Sequence, residues 1–157
     1  MTAKEYLSYL PNIQLRIKAL QRSIRKCEEV ATTTGGHMDS ISSGQHGGNG
    51  KVASAIEEKC DLEQELRNLM ESYQKFAVKV VREINRIPNN LYVTILIDRY
   101  VNGLPWETVA ANVGMESEKH VRTKLHEQAL TAFEKNNPES TGKYRKVPCF
   151  SPENDVE

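Results

Sequence analysis

The sequence predicts an all-α protein, in which a long antiparallel helical hairpin is followed by a three-helix helix-turn-helix domain. Two long stretches of heptad-spaced apolar residues predict the hairpin. Shorter amphipathic segments, punctuated by Pro and Gly, predict the second domain. We therefore expect a hairpin over residues 1–87, with a flexible loop at 32–51, a helix-turn-helix over 88–135 and a disordered tail over 136–157.

Length and composition limit the class of protein. The 157 residues are 38% apolar and 27% charged, and their formal net charge is zero, which argues against strong nonspecific binding of nucleic acid. The three cysteines, Cys27, Cys60 and Cys149, show no C-x-x-C spacing. This pattern favours a reduced, cytoplasmic setting over a disulfide framework or a zinc site. No window approaches the roughly 18 apolar residues of a membrane span, so we expect no membrane partner.

The first predicted helix covers about residues 3–31. Its apolar residues recur at alternating spacings of three and four, a heptad seam that packs against one long partner. The seam consists of Leu10, Ile13, Ile17, Leu20, Ile24 and Cys27. Pro11 removes one backbone donor within this stretch, so the helix either bends there or begins there.

Residues 32–51 are rich in Gly, Ser and Thr, a composition typical of a flexible loop rather than a tight turn. His37 and His46 lie in this segment. A metal site is the functional interpretation of the two histidines, but no Cys or acidic cluster accompanies them. We expect a solvated loop, no metal site and no cofactor.

The second predicted helix covers residues 52–87 and carries its own heptad seam, formed by Leu62, Leu66, Leu69, Tyr73, Phe76 and Val80. Two long helices joined by a flexible loop pack most simply as an antiparallel hairpin, in which facing residue numbers sum to roughly 83. This register brings a basic run opposite an acidic run: Arg16, Lys18, Arg22, Arg25 and Lys26 against Glu57, Glu58, Asp61, Glu63 and Glu65. Exposed ion pairs contribute about 0–1 kcal/mol each, so they select the orientation more than they stabilise it. The long seam also suits a homodimer.

Four basic residues near the end of the second helix are spaced so that they share one helical face: Lys75, Lys79, Arg82 and Arg86. Two interpretations remain open for this basic ridge. It is either a solvated helix face or a set of phosphate contacts beside the helix-turn-helix that follows.

The helix-turn-helix domain is expected to start at Asn90, as the N-cap of a helix over about 91–101. Asn102-Gly103 ends that helix and turns the chain. Pro105 fits the first position of the next helix, because the missing N–H is not needed there.

Gly114 allows the left-handed turn that stops this second helix. Ser117 then caps a longer helix, with His120 at the capping-box position, that continues to Lys135. The apolar positions of this longer helix form a stripe that is expected to be buried: Val121, Leu125, Ala129, Ala132 and Phe133.

Two stretches of this domain resemble segments of a known protein family. The stretch from Leu91 to Ala110, with Arg99-Tyr100 and Trp106-Glu107, resembles a block of the sigma-70 region-4-like regulators found in phages and prophages of Gram-positive bacteria. Leu125-His126-Glu127-Gln128-Ala129-Leu130 resembles the end of their recognition helix. The resemblance covers about residues 3–135. It implies a small regulator of the phage late-gene activator type, with double-stranded DNA as its partner. Bacterial RNA polymerase is the partner in one of the alternatives given below.

The longer helix of the motif carries the polar residues that we predict to contact DNA: Ser117, Lys119, His120, Arg122, Thr123 and Lys124. Arg122 is the best candidate for a base contact, since a guanidinium binds guanine O6 and N7 together. Lys119 and Lys124 suit phosphates. Glu116 and Glu118 repel phosphate, but a carboxylate accepts a hydrogen bond from cytosine N4.

Trp106 and His126 are expected to have structural roles. We predict that Trp106 anchors the motif on Tyr100 and Phe133, the alternative being a contact with DNA or polymerase, and that His126 packs at the edge of the core. The sequence shows no Ser/His/Asp set, phosphate-binding Gly loop or paired-carboxylate constellation. We therefore expect no catalytic residues and no enzyme.

The leading functional hypothesis is a sequence-specific DNA-binding regulator of phage or prophage transcription. One alternative is a phage DNA-packaging subunit that recognises a site on the genome. Another is an interaction module that binds RNA polymerase without strong DNA binding, which agrees with the zero net charge.

Overall fold

The chain is helical throughout the regions that the structure describes. A computed structural model describes residues 1–35 and 48–141, and within these ranges every regular element is a helix. The helices are α1 (Ala3–Gly35), α2 (Gly48–Ile84), α3 (Asn90–Leu96, continued by the π-helical turn Ile97–Val101), α4 (Trp106–Asn112) and α5, which runs through Glu118–His120, a second π-helical turn at Val121–Leu125 and His126–Asn136. The predicted all-α fold class is confirmed.

α1 begins at a capping box that was not part of the sequence prediction. Thr2 Oγ1 accepts a hydrogen bond from Glu5 N at 3.2 Å, and the Glu5 carboxylate accepts one from Thr2 N at 2.8 Å. The hydrogen bond with the Thr2 backbone lowers the pKa of Glu5. The helix therefore starts at Ala3 and passes through Pro11. The alternative that it begins at Pro11 is wrong.

The chain divides into two compact units whose boundaries lie inside the two long helices. The motif unit consists of Met1–Gln14 and the described chain from Ser72 onward, and the arm unit is Leu15–Glu71. The boundary predicted at residue 87 differs from this division. The second helix, predicted over 52–87, ends at Ile84.

An aromatic cluster in the motif unit joins segments that are far apart in sequence. The ring centroid of Tyr6 lies 5.4 Å from that of Phe76 and 6.0 Å from that of Phe133. All three side chains are buried. Ala3 N also donates a hydrogen bond to Glu134 Oε1 at 2.8 Å. The start of α1 and the end of α2 therefore pack with α5.

In the arm unit, two ion pairs join α1 and α2. Arg16 Nη2 lies 2.6 Å from Glu65 Oε1, and Lys59 Nζ lies 2.9 Å from Glu28 Oε1. The hydrogen bond and charge of Glu28 raise the pKa of Lys59. Of the pairs predicted between the basic and the acidic run, Arg16–Glu65 is the one found among the described residues.

Two predicted flexible segments are only partly covered by the described residues. Of the loop predicted at 32–51, the ends are helical, and residues 36–47, with His37 and His46, lie outside the described residues. A disordered tail from 136 onward is wrong for residues 136–141, where Asn137 and Ser140 are buried. Residues 142–157 lie outside the described chain. No helix in the described ranges is long and apolar enough to span a bilayer.

Candidate nucleic-acid interface

The turn between α4 and α5 has the geometry that the sequence predicts. Gly114 adopts φ +70°, in the left-handed region that L side chains rarely enter. Met115 N donates to Ala110 O at 2.9 Å, and Gly114 N donates to Ala111 O at 3.1 Å. These two bonds form a Schellman motif, which satisfies carbonyls left free at the end of α4. The predicted glycine turn is confirmed.

Two predicted helix starts are each shifted by one residue. Pro105, with φ −66° and ψ 155°, is the N-cap of α4 rather than its first helical residue. Asn89, not Asn90, caps α3, because its extended backbone allows Oδ1 to accept a hydrogen bond from Leu91 N at 2.9 Å. Asn90 is already helical.

The inner face of α5 packs against α3 and α4. One cluster of buried residues contains members of all three helices: Ile95, Val109, Ala110, Val121 and Leu125. Leu91, Leu104, Trp106 and Val113 pack on it while remaining partly exposed. The stripe predicted on α5 is confirmed at Val121, Leu125, Ala129 and Phe133, whereas Ala132 is half-buried.

A buried carboxylate links α4 to the π-helical turn after α3. Asp98 Oδ1 accepts a hydrogen bond from Asn102 Nδ2 at 3.0 Å, and Oδ2 accepts one from Asn112 Nδ2 at 2.8 Å. The Asp98 backbone carbonyl also accepts a bond from Leu104 N at 2.9 Å. The last residue of α4, just before the glycine turn, is thereby held to α3. Asp98 and Asn112 are structural residues that the sequence prediction did not include.

Trp106 packs differently from the prediction. Its ring centroid lies 4.8 Å from that of His126, nearly edge-on, and the Arg99 guanidinium carbon lies 4.8 Å from the Trp106 ring. Arg99 Nη1 also donates to Leu104 O at 3.0 Å, so the guanidinium both stacks on the ring and holds the chain that leads into α4. Phe133, the predicted neighbour of Trp106, packs with Tyr6 instead.

Tyr100 and His126 form a buried polar pair between the turn after α3 and α5. The Tyr100 hydroxyl lies 2.9 Å from His126 Nε2. Burial raises the pKa of Tyr100 to about 12. Burial, together with the positive charges of Lys4 and Arg99, lowers the pKa of His126 to about 4. At neutral pH the imidazole is therefore uncharged, and it shares one hydrogen bond with the Tyr100 hydroxyl.

This pair predicts a loss of stability in mild acid. The pKa of His126 is lower in the folded chain than the value of about 6.5 expected in the unfolded chain, so the unfolded state binds more protons between about pH 6.5 and 4. The free energy of unfolding should therefore decrease as the pH falls, by about 2 kcal/mol between pH 7.5 and 5. Urea unfolding at both pH values measures it. His126→Gln should lack most of this loss, whereas His120→Gln, at an exposed position, should retain it; equal losses in the two variants would contradict the assignment.

The motif residues that are predicted to contact DNA lie at the N-cap and in the first half of α5. All six are exposed: Ser117, Lys119, His120, Arg122, Thr123 and Lys124. Ser117 Oγ accepts a hydrogen bond from His120 N at 3.3 Å, so the predicted N-cap is confirmed. Its hydroxyl proton is not used in that bond.

Two of these exposed side chains have partners on the same helix. Arg122 Nη1 lies 3.4 Å from Glu118 Oε1, an exposed pair one turn apart. Thr123 Oγ1 donates to Lys119 O at 2.7 Å. The exposed Arg122–Glu118 pair is weak enough to yield to a stronger acceptor, since such pairs contribute about 0.3–0.5 kcal/mol.

The basic ridge is shorter than predicted. Lys75, Lys79 and Arg82 lie on α2 and are exposed, but Arg86 lies beyond the end of that helix at Ile84. A single helical face for all four is therefore wrong. Lys79 Nζ is 4.0 Å from a Glu83 carboxylate oxygen, at the limit of an ion pair.

Arg86 is held by the segment that follows α5. Its guanidinium forms an ion pair with Glu139 and donates a hydrogen bond to Asn137 Oδ1 at 3.1 Å. Asn137 Nδ2 donates to the Glu83 backbone carbonyl at 3.1 Å, and Ser140 Oγ donates to Glu83 Oε1 at 2.6 Å. These contacts lie at the end of α5 opposite to Ser117–Lys124, roughly 25 Å along the helix. The structure therefore does not bring Arg86 together with the predicted reading residues.

Comparison with known proteins found no match to this chain among family models, curated proteins or solved structures. Within the described residues there is no group of three or more His, Cys, Asp or Glu side chains placed to hold a metal ion. Function is therefore inferred from the geometry of the motif itself.

Proposed function

We propose that this protein is a sequence-specific DNA-binding regulator of transcription, acting through α4 and α5. The observation that carries the proposal is the division of the first half of α5 into two faces. Val121 and Leu125 are fully or almost fully buried, while Lys119, Arg122 and Lys124 are exposed. A helix that is anchored on one face and basic on the other, and that follows a tight glycine turn, suits entry into a major groove.

In this proposal the exposed residues of α5 contact different parts of the DNA. Arg122 reads a guanine through two hydrogen bonds, giving up its exposed ion pair with Glu118. Lys119 and Lys124 neutralise phosphates on either side of the groove. Ser117 donates its hydroxyl proton to a phosphate while its oxygen caps the helix. His120 and Thr123 complete the contact surface.

Three ridge residues supplement this surface. Lys79 and Arg82 are exposed on α2, and their charges suit flanking phosphates, together with Lys75. Arg86 fits this role less well, because its Nη1 already binds Glu139 and Asn137. We assign Arg86 mainly to fastening the segment after α5.

The antiparallel pairing of α1 and α2 within the arm unit belongs to the same proposal. The ion pairs join residue 16 with residue 65 and residue 28 with residue 59, so the residue numbers add up to 81 and 87. A nearly constant sum is what two antiparallel neighbouring helices give. These values bracket the sum expected from the two seams.

The test of the proposal is the effect of Arg122→Ala on selectivity for DNA. The protein's preferred site is first obtained by selection from a random duplex pool. On that site, Arg122→Ala should weaken binding by about 1–3 kcal/mol and lose discrimination at one base pair. Lys124→Ala is the matched control, which should weaken all sequences alike and reduce the salt slope by about one phosphate. Failure of the wild-type chain to enrich any sequence would sink the proposal.

A second candidate is a module that binds RNA polymerase, and the charge of α5 favours it. Glu116, Glu118 and Glu127 lie in the same stretch as the three basic residues and offset their charge toward DNA. In this case the motif docks on a protein surface. Co-purification with polymerase, combined with no DNA binding at low salt, would support this candidate over the first.

A further inference from the structure

The arm unit carries two oppositely charged stripes whose side chains are not paired within the described chain. The basic stripe, Lys18, Arg22 and Arg25, has spacings of four and three along α1, so its members share one side of the helix. The acidic stripe, Glu57, Glu58 and Asp61, spans one turn of α2. All six side chains are exposed, and none takes part in an ion pair with another described residue.

Apolar surface accompanies these charges. Leu15 precedes Lys18 by three residues, so it extends the basic stripe, and it is 63% exposed. Ile56 and Met70 on α2 are also large, apolar and exposed. The seam itself is incompletely covered, since four of its members are only half-buried: Ile17, Leu20, Leu62 and Leu66. Two helices alone cover each seam from one side, whereas four helices enclose it.

We propose that the arm unit is a self-association surface, and that its occupant is a second copy of this chain. Charge complementarity selects this partner, because each copy brings one basic and one acidic stripe. Around a two-fold axis, α1 of one copy lies against α2 of the other, and the symmetry repeats the contact. Both stripes are thereby neutralised, and Leu15 is covered. The inference does not depend on DNA binding.

Two charge-reversed variants of the full chain test this proposal. One carries Lys18→Glu, Arg22→Glu and Arg25→Glu, and the other carries Glu57→Lys, Glu58→Lys and Asp61→Lys. Sedimentation equilibrium of the wild type should give a dimer at low salt, with a dissociation constant that rises at least tenfold in about 0.5 M salt. Each variant alone should dissociate at least tenfold more readily, because its two stripes then have the same sign. An equimolar mixture of the two variants should restore a dimer, now a heterodimer.

The design separates contacts between chains from contacts within one chain. If the stripes pair within a chain, each variant lowers the melting temperature without changing the mass, and the mixture restores nothing; that result overturns the proposal. A wild type that remains monomeric at high concentration in low salt also overturns it, as does a stable complex with a different protein in place of the dimer. Lys119→Glu with Lys124→Glu is the matched control: it reverses charge on α5 and should leave the mass unchanged.

Discussion

Replacing Phe133 by Ala is expected to lower the free energy of unfolding by about 3–5 kcal/mol. Phe133 is completely buried in the motif unit, and its ring centroid lies 6.0 Å from that of Tyr6. Truncation removes buried apolar surface and leaves a cavity between α1 and α5, which the helices close only in part. Urea unfolding followed by circular dichroism, at one fixed protein concentration, measures the loss. It would be a large fraction of the 5–15 kcal/mol typical of a folded domain.

Two controls make this result specific to the aromatic cluster. Val78→Ala, at a position on α2 that is 52% exposed, should change stability by less than about 0.5 kcal/mol. A double-mutant cycle of Tyr6→Leu and Phe133→Leu should give a coupling of about 0.5–1.5 kcal/mol. A coupling near zero would mean that the start of α1 does not pack on α5. A loss below about 1 kcal/mol for Phe133→Ala would contradict its burial.

The helices themselves could be predicted because local periodicity determines which face of each one is buried. The stripe of Val121, Leu125, Ala129 and Phe133 follows from a repeat of 3.6 residues. Gly114 and Ser117 follow from the chemistry of helix ends, in which a left-handed residue stops one helix and a hydroxyl caps the next. These are properties of short segments, and a sequence displays them directly.

The division into two units could not be predicted, because a heptad seam identifies a buried face but not what covers it. The seam of α1 continues from Leu10 to Ile24 without interruption, yet the two residues belong to different units. Tyr6 packs with Phe133, and no local pattern connects residues so distant in sequence. The start of α1 is a separate case, because the capping box of Thr2 and Glu5 is a local pattern that the sequence itself displays.

The candidate site, like the fold, could be predicted from the sequence only in part. Exposure of Lys119, Arg122 and Lys124 follows from helical geometry, and the structure agrees. The contacts that hold the motif together are polar and tertiary, as in the ion pair of Arg86 with Glu139. The helical periodicity of the sequence places Arg86 on the ridge. This periodicity cannot show that Glu139, which follows α5, forms an ion pair with the Arg86 guanidinium.

Asp98→Ala is expected to be the most damaging polar substitution in the motif, with a loss of about 2–3 kcal/mol of stability. Its buried carboxylate accepts two side-chain hydrogen bonds, at 3.0 Å from Asn102 and 2.8 Å from Asn112. Hydrogen bonds to a charged acceptor contribute about 1.5–3 kcal/mol each. Part of this free energy is recovered in the variant, because Asn102 and Asn112 are exposed and their amides form hydrogen bonds with water instead. Urea unfolding of Asp98→Ala and of Asn112→Ala measures the two losses, and Asn112→Ala should cost about half as much.

The double-mutant cycle of these two substitutions decides whether the bond itself is responsible. A coupling of at least about 0.5 kcal/mol is expected for residues in direct contact, and additive losses would assign the effect of Asp98→Ala to other neighbours. Asp98→Asn is a useful third variant, because an amide keeps one acceptor but faces one asparagine donor with a donor of its own. Its loss should lie between those of the wild type and Asp98→Ala. Since Asn112 directly precedes the glycine turn, the proposed function predicts that each variant also weakens binding to the selected DNA site, in the same order as it loses stability.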